Sequence, residues 1–395
     1  MRVFIVTGEP FPNGMAATGR ITCYAKALLS AGIYCEVVVC RRTEVFGKTP
    51  KNIISEGSYE GVNFKYIAGT PLRDSNKMCR FCHDVRDRHR TILYLKSRIK
   101  SGDSILCYMR EDPFAKRLQR FAHANGVKIV RDLCEYPFAS LHLTAKTENR
   151  CDKYMRTTFR GFDGAICISQ SLLNLAVKYY PQGNYVKIPI MIDEDKWNLE
   201  NVSPVDIGRP YIFHSGTLLQ QKDGILDVLQ AFAEALPSLP KGVKYLFSGD
   251  VTRSADKIRI QEIIETYNLQ SSVRFLGYLS RGDLQRYMKG AKLFIIYKND
   301  NLQNRYCFAT KLGEYLLSGN PVITTTVGEP KFFLHDKKDA YLVPSGNIAL
   351  LAKTIVEVFA DDKSVQVGLN GRKTAINNFT SRFQGPILRR YIENL

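Results

Sequence analysis

Short apolar runs rich in valine, isoleucine and phenylalanine alternate with longer stretches of helical periodicity almost to the end of the chain. In the first half, Val3–Thr7, Glu36–Cys40, Asn63–Ala68, Ser104–Cys107, Lys128–Arg131, Gly164–Ile168 and Tyr185–Lys187 read as strands. Helical patterns such as Ala17–Ser30, Pro113–Ala124 and Lys146–Phe159 separate most of them. The alternation lapses over Ile188–Val205, a polar stretch with two prolines and Trp197 that reads as a linker. It resumes at Tyr211–Phe213 and continues through strands Lys244–Phe247, Val273–Leu276, Leu293–Ile296, Pro321–Thr325 and Ala340–Val343. Strands alternating with helices imply parallel sheets covered on both faces. Two such halves predict an α/β protein of two Rossmann-like, doubly wound domains, with ligand sites at the carboxyl ends of the strands.

A length of 395 residues agrees with two domains, and 45% hydrophobic with 24% charged residues is a globular composition. No apolar run approaches the ~18 residues of a membrane span. Met1–Thr7 is too short and too β-branched for a signal peptide, so the expectation is a cytoplasmic chain. Its ten cysteines, several in predicted strands (Cys40, Cys107, Cys167), are then expected as reduced core residues. The net charge of +18 calls for an anionic partner. Residues 70–160 hold twenty Lys/Arg against ten Asp/Glu, and Asn76–Lys100 reads as a basic helix interleaved with Met78, Phe81, Ile92 and Leu93. An anionic membrane contacted by segment 76–160 and a merely solvated face stand as equal readings. Nucleic acid ranks last, because no recognition motif accompanies the charge.

Three segments carry candidate chemistry. Cys307–Ile323 reads as a loop, a helix capped by Thr310, a stop at Gly319 and a buried strand. Such a helix start offers free backbone N–H groups to a phosphate; Lys311 adds a full charge, and Glu314 lies one turn further in. The loop Gly8–Arg20 is rich in glycine, but Arg20–Ile21 stand where a phosphate-binding Walker loop has Lys-Ser/Thr, and G-x-G-x-x-G is absent. Asp132 and Glu135 follow the strand Lys128–Arg131 at the position where such folds place their chemistry. Cys79-x-x-Cys82-His83 spells a haem attachment sequence, yet it lies in a basic helix without an export signal, and its spacing does not suit zinc; no metal site is expected.

Taken in order, Asn13–Arg20, Asp132–Phe138, Phe213–Ile225, Ser248–Asp250, Phe275–Leu279 and Phe308–Pro321 resemble the retaining GT4-type glycosyltransferases of GT-B fold. The resemblance implies two Rossmann-like domains facing across a cleft: an acceptor domain 1–190, a linker 191–207, a nucleotide-sugar domain 208–378 and a C-terminal helix 379–395 crossing back. It implies transfer from a nucleotide-diphosphate sugar to a glycan or lipid-linked acceptor in polysaccharide or glycoconjugate synthesis, without metal or other cofactor, at the inner face of a membrane. Donor contacts would come from Gly14, Gly19, Thr217, Lys222, Tyr278, Leu279, Arg305, Phe308, Ala309, Thr310, Lys311 and Glu314. Glu135, with Asp132 second, would face the sugars. Two departures stand out: Thr217 occupies the position of the family's arginine, and Tyr306 that of its first glutamate. Asn299–Asn301 are candidates for the missing sugar contacts. Alternatives are another GT-B enzyme, an epimerase or phosphorylase with His214 as its histidine, or a non-catalytic nucleotide-sugar-binding subunit.

Overall fold

The computed structural model describes residues 1–138 and 144–395, and its chain divides between Ile192 and Asp193 and again between Thr380 and Ser381. Met1–Ile192 with Ser381–Leu395 make the first unit, and Asp193–Thr380 the second. The first is built on β1 (Arg2–Thr7), β2 (Tyr34–Val39), β3 (Glu56–Tyr59), β4 (Val62–Tyr66), β5 (Ser104–Tyr108), β6 (Lys128–Leu133), β7 (Gly164–Cys167) and β8 (Asn184–Lys187). They form one sheet in the order β3-β4-β2-β1-β5-β6-β7-β8, parallel except for β3 against β4. Helices α1 (Ala16–Ser30), α2 (Lys77–Arg98), α3 (Phe114–Ala124), α4 (Ala145–Thr157) and α5 (Gln170–Tyr179) connect the strands. The continuous apolar runs follow from this: Val3, Ile5, Val37, Val39 and Leu106 are buried because helices cover the sheet.

The second unit carries β9 (Tyr211–Ser215), β10 (Lys244–Ser248), β11 (Val273–Gly277), β12 (Leu293–Ile296), β13 (Val322–Thr325) and β14 (Tyr341–Val343). Its parallel sheet runs β11-β10-β9-β12-β13-β14, the 3-2-1-4-5-6 order of dinucleotide-type α/β domains. Helices α6 (Gln220–Asp223), α7 (Ile225–Ala235), α8 (Lys257–Thr266), α9 (Arg281–Gly290), α10 (Leu302–Tyr306), α11 (Thr310–Leu317), α12 (Ile348–Ala360) and α13 (Lys363–Phe379) complete it. A separate core gathers Ile212, Leu229, Phe232, Leu293 and Ile355. The last helix, α14 (Ser381–Glu393), packs on α1 of the first unit, where Leu388 and Ile392 join the core and the Tyr391 hydroxyl donates to Asn184 O at 2.9 Å.

Three sequence readings are corrected. Residues 188–192 are not linker: Ile188, Ile190, Met191 and Ile192 are buried, and the Ile188 and Pro189 carbonyls accept from the Arg20 guanidinium. An unforeseen edge strand, β3, forms a hairpin with β4 through Glu60 and Gly61, both at positive φ, the requirement of a two-residue type I′ turn. Cys79 and Cys82 are exposed rather than core, because their side of α2 faces solvent.

Candidate functional site

A doubly wound sheet opens a crevice where its strand order reverses. In the second unit that point lies between β9 and β12, beyond their carboxyl ends. The chain leaves β9 through Ser215 and turns at Gly216, whose N–H donates to Ser248 O at 2.9 Å. Only glycine fits there. A Cβ at 216 would lie 2.5 Å from His214 Nε2, 3.1 Å from Lys311 Nζ and 3.2 Å from Asp223 Oδ2. The next turn presses from the other side, since a Cβ on Gly249 would come within 2.3 Å of Gly216 O.

Helix α11 is locked to this turn by its own periodicity. Tyr315 stacks on Phe294 at 4.3 Å between ring centroids, and its hydroxyl accepts from Ser215 N–H at 2.7 Å. Lys311 stands four residues earlier, hence on the same face, and its ammonium reaches the Gly216 turn. Ala309, not Thr310, is the N-cap, and it supplies no side-chain acceptor; Thr310 is already the first helical residue. The first N–H groups of α11 therefore lack a side-chain cap, the condition under which a helix start takes an anion.

The electrostatics centre on Asp223, which is 6% exposed. Its Oδ2 accepts from Thr217 N–H at 3.2 Å and Thr217 O–H at 2.6 Å, while Oδ1 lies 3.5 Å from Lys298 Nζ. Burial pushes this carboxyl up, but Lys298 and Lys311 outweigh it and hold the group well below the usual carboxylate range. Burial pushes Lys311 down, opposed by Asp223 and reinforced by Lys298 and Lys222. Burial pushes Glu314 up to about 7, with Lys311 opposing. Lys298 and Lys311 thus flank one ionised carboxylate, while burial pushes the second carboxyl toward its neutral form. The surplus is positive. His214 contributes no charge: burial pushes its imidazole down to about 4, Nδ1 lies 3.3 Å from Ile295 O, and Nε2 has no hydrogen-bond partner among the described residues.

Several proposed residues gather here and others do not. Thr217, at the arginine position, closes the turn through Asp223 rather than reaching outward. Lys222 is exposed in the single-turn helix α6. Its carbonyl accepts from Lys298 Nζ. Arg305 is 60% exposed and forms a two-point pair with Asp300, at 2.5 and 2.9 Å. Asn299 and Asn301 spend their amides on Gln220 O and Gln221 O, holding α6 in place. Phe308 is buried against Phe333 and Phe379, a packing role at the foot of α11. Tyr278 is 71% exposed and Leu279 half-buried, following Gly277 at φ 67°.

In the first unit the strand order reverses between β1 and β5. The glycine-rich loop leaves β1, but Gly19 lies inside α1 and faces open space, whereas a Cβ on Gly14 would meet Thr18 Oγ1. Asp132 is buried with Arg20, whose Nε donates to its Oδ2 at 3.2 Å, and Cys134 Sγ lies 2.7 Å from its Oδ1. Glu135 is exposed. Of segment 76–160, residues 139–143 lie outside the described residues. Among the described residues no cluster of three or more His, Cys, Asp or Glu is placed to hold a metal, and no helix is long and apolar enough to cross a membrane.

Residues 209–361, the core of the second unit, match the family model Glycosyl transferases group 1. Solved structures are similar over the whole chain. Sucrose-phosphate synthase from Thermosynechococcus elongatus superposes with a TM-score of 0.74 at 16% identity, covering 100% of both chains. A glycosyltransferase from Rickettsia africae gives 0.73 at 16%, covering 100% of this chain and 99% of its own. The fold is that of the GT-B glycosyltransferases. HepE from Anabaena, a further structure of this fold crystallised with UDP, gives 0.71 at 13% over 100% of both chains. No curated protein sequence matches the chain. The sequence offered His214 only as the histidine of the alternative enzymes, and Asp223 and Lys298 were not singled out.

Proposed function

We propose that the chain is a retaining, metal-independent glycosyltransferase that moves a hexosyl group from a nucleotide-diphosphate sugar to a glycan or lipid-linked acceptor in surface polysaccharide or glycoconjugate synthesis. One observation carries the reading: Lys298 and Lys311 flank a single ionised carboxylate beside a helix start without a side-chain cap, and the Lys222 charge acts on Lys311. That surplus charge suits a diphosphate. UDP is the first nucleotide to test, because it is what HepE holds.

In this reading Lys311 and the first N–H groups of α11 bind the diphosphate, with Lys222 at its exposed side. Glu314 binds the ribose, and its carboxyl, half protonated near neutral pH, is able both to donate and to accept. As the glycosidic bond breaks, negative charge grows on the leaving diphosphate; the fixed ammonium groups stabilise it there and need no rearrangement. The acceptor hydroxyl loses its proton to the departing diphosphate, so positioning and charge do the catalytic work. Glu135 is assigned to the sugars and the Gly14–Gly19 stretch to the acceptor side. Asp132, buried with Arg20, is assigned to holding that loop. The basic segment 76–160 faces an anionic membrane at which a lipid-linked acceptor is met. His214 is a poor acid at neutral pH, which weighs against the epimerase or phosphorylase alternative.

The test is transfer from UDP-, GDP- and ADP-sugars by the wild type, Lys222→Ala and Glu314→Ala. Turnover with one donor that both substitutions abolish, with the fold intact by circular dichroism, agrees with the proposal. Undiminished turnover in either variant contradicts it.

A further inference from the structure

Helix α2 presents its apolar side to solvent. Of its 22 residues only Asp87, Thr91 and Leu95 are buried. Its inner face is held largely by charge: Asp87 lies 3.7 Å from Arg42, His83 lies 2.6 Å from Asp74, and Arg88 lies 2.6 Å from Asp112. The outer face carries Met78 and Phe81, 77% and 71% exposed, with Val85 and Leu93 also exposed. At about 100° per residue, Met78, Phe81 and Val85 project within about 60° of one another. This is one stripe, not scatter.

A second apolar element stands at the foot of the same helix. Thr43 and Glu44 both donate to Pro71 O at 2.9 Å, and Arg73 donates to Glu44 O at 3.0 Å, so the loop after Arg42 runs beside the lead-in to α2. Buried Glu44 fixes that loop by accepting from Lys51 N–H at 2.8 Å and the Asn52 amide at 2.6 Å. The ordered loop holds Val45, Phe46, Ile53 and Ile54 outward, next to exposed Leu72. Two exposed apolar elements whose backbones adjoin on one domain mark a contact site.

Its rim decides the partner. Residues 41–54 and 70–100 carry thirteen Lys/Arg against four Asp/Glu. Lys48, Lys51, Lys77 and Arg90 are exposed, and their side chains make no ion pair among the described residues. A second copy of the chain would set this same basic rim against itself, which like-charge repulsion opposes. An anionic bilayer meets both features at once: apolar side chains enter the headgroup–acyl boundary while lysines and arginines stay at the phosphate level.

We infer that the start of α2 and the 45–54 loop form a membrane-inserting tip, with Phe46, Ile53, Ile54, Met78 and Phe81 entering an anionic leaflet. This rests on the membrane reading above and narrows it, from charge spread over 76–160 to an apolar tip with a basic collar. The tip extends the surface to residues 45–54, outside the basic segment.

The experiment is flotation of the full chain with vesicles of phosphatidylcholine alone or mixed with phosphatidylglycerol. It compares wild type, M78S/F81S, and the α3 variant K116E/R117E/R120E. Wild type is expected on the anionic vesicles and not the neutral ones, with M78S/F81S bound about tenfold less and the α3 variant affected less. The exposed substitutions leave melting and nucleotide binding unchanged. If M78S/F81S floats like wild type while the α3 variant is lost, charge alone acts and the tip is refuted. If wild type floats with neither vesicle, both membrane readings fall, with nucleotide binding untouched. If light scattering finds a wild-type dimer that M78S/F81S dissolves, the surface joins copies and the inference is overturned.

Discussion

Replacing Asp223 by asparagine tests the charge arithmetic of the site. The substitution keeps size and leaves an amide oxygen for the Thr217 N–H and O–H, now 3.2 and 2.6 Å from Oδ2. It removes the negative charge 3.5 Å from Lys298 Nζ and turns an N–H₂ donor toward that ammonium. Lys298 and Lys311 then remain beside each other without that carboxylate between them. Breaking a buried pair from one side costs about 3–5 kcal/mol. For a unit of this size that corresponds to a fall in melting temperature of roughly 6–20 °C at neutral pH. The sign with pH follows from the depressed carboxyl. Its stabilisation is present above the ordinary aspartate range and is lost on acidification, so the gap between variant and wild type narrows only below a pH of about 4. Added phosphate supplies the missing negative charge, and it should raise the melting temperature of Asp223→Asn more than that of wild type. The assay is thermal melting at several pH values, with and without inorganic phosphate. A variant melting within about 2 °C of wild type, or equal stabilisation of both by phosphate, would refute the reasoning.

Two other outcomes follow from the same geometry. Glu314, pushed up to about 7, contributes stability that is whole below the ordinary glutamate range and is lost as pH rises through neutrality. Glu314→Gln should therefore match wild type near pH 5 and exceed it near pH 8, by up to about 3 kcal/mol, and parallel denaturation curves at both values would exclude a buried, perturbed carboxyl. In the first unit, Asp132→Ala strands the buried Arg20 and should cost about 3–5 kcal/mol. Glu135→Ala should leave stability within about 0.5 kcal/mol and lower transfer. Urea denaturation and turnover measured together separate the two carboxylates, and the opposite pattern would reverse their roles.

The strands were legible because parallel sheets bury both faces and so write continuous Val/Ile runs into the sequence. β3 was not: its Glu56–Tyr59 is an almost wholly exposed edge hairpin with no apolar alternation to detect. The 188–192 stretch misled because prolines and polar neighbours mask four buried apolar side chains, and its carbonyls serve an arginine 168 residues away. Lys311 and Glu314 were legible because a helix start between a loop and a buried strand is a local pattern. Lys298 was not, since its relevance depends on β9 lying beside β12, a crossover that local periodicity does not encode. Arg305 and Asn299–Asn301 are polar candidates whose groups are engaged within the chain, Arg305 with Asp300 and the two asparagine amides with the α6 backbone, a pairing that local sequence does not announce.

The central claim is that the Gly216 turn and the start of α11 bind a nucleoside diphosphate. Calorimetric titration of UDP, GDP and ADP into wild type and Lys311→Met tests it most directly. The account predicts that one of the three binds wild type and that Lys311→Met loses about 2–3 kcal/mol of that affinity, roughly 30- to 150-fold. Absence of binding by all three, or equal binding by Lys311→Met, would contradict it.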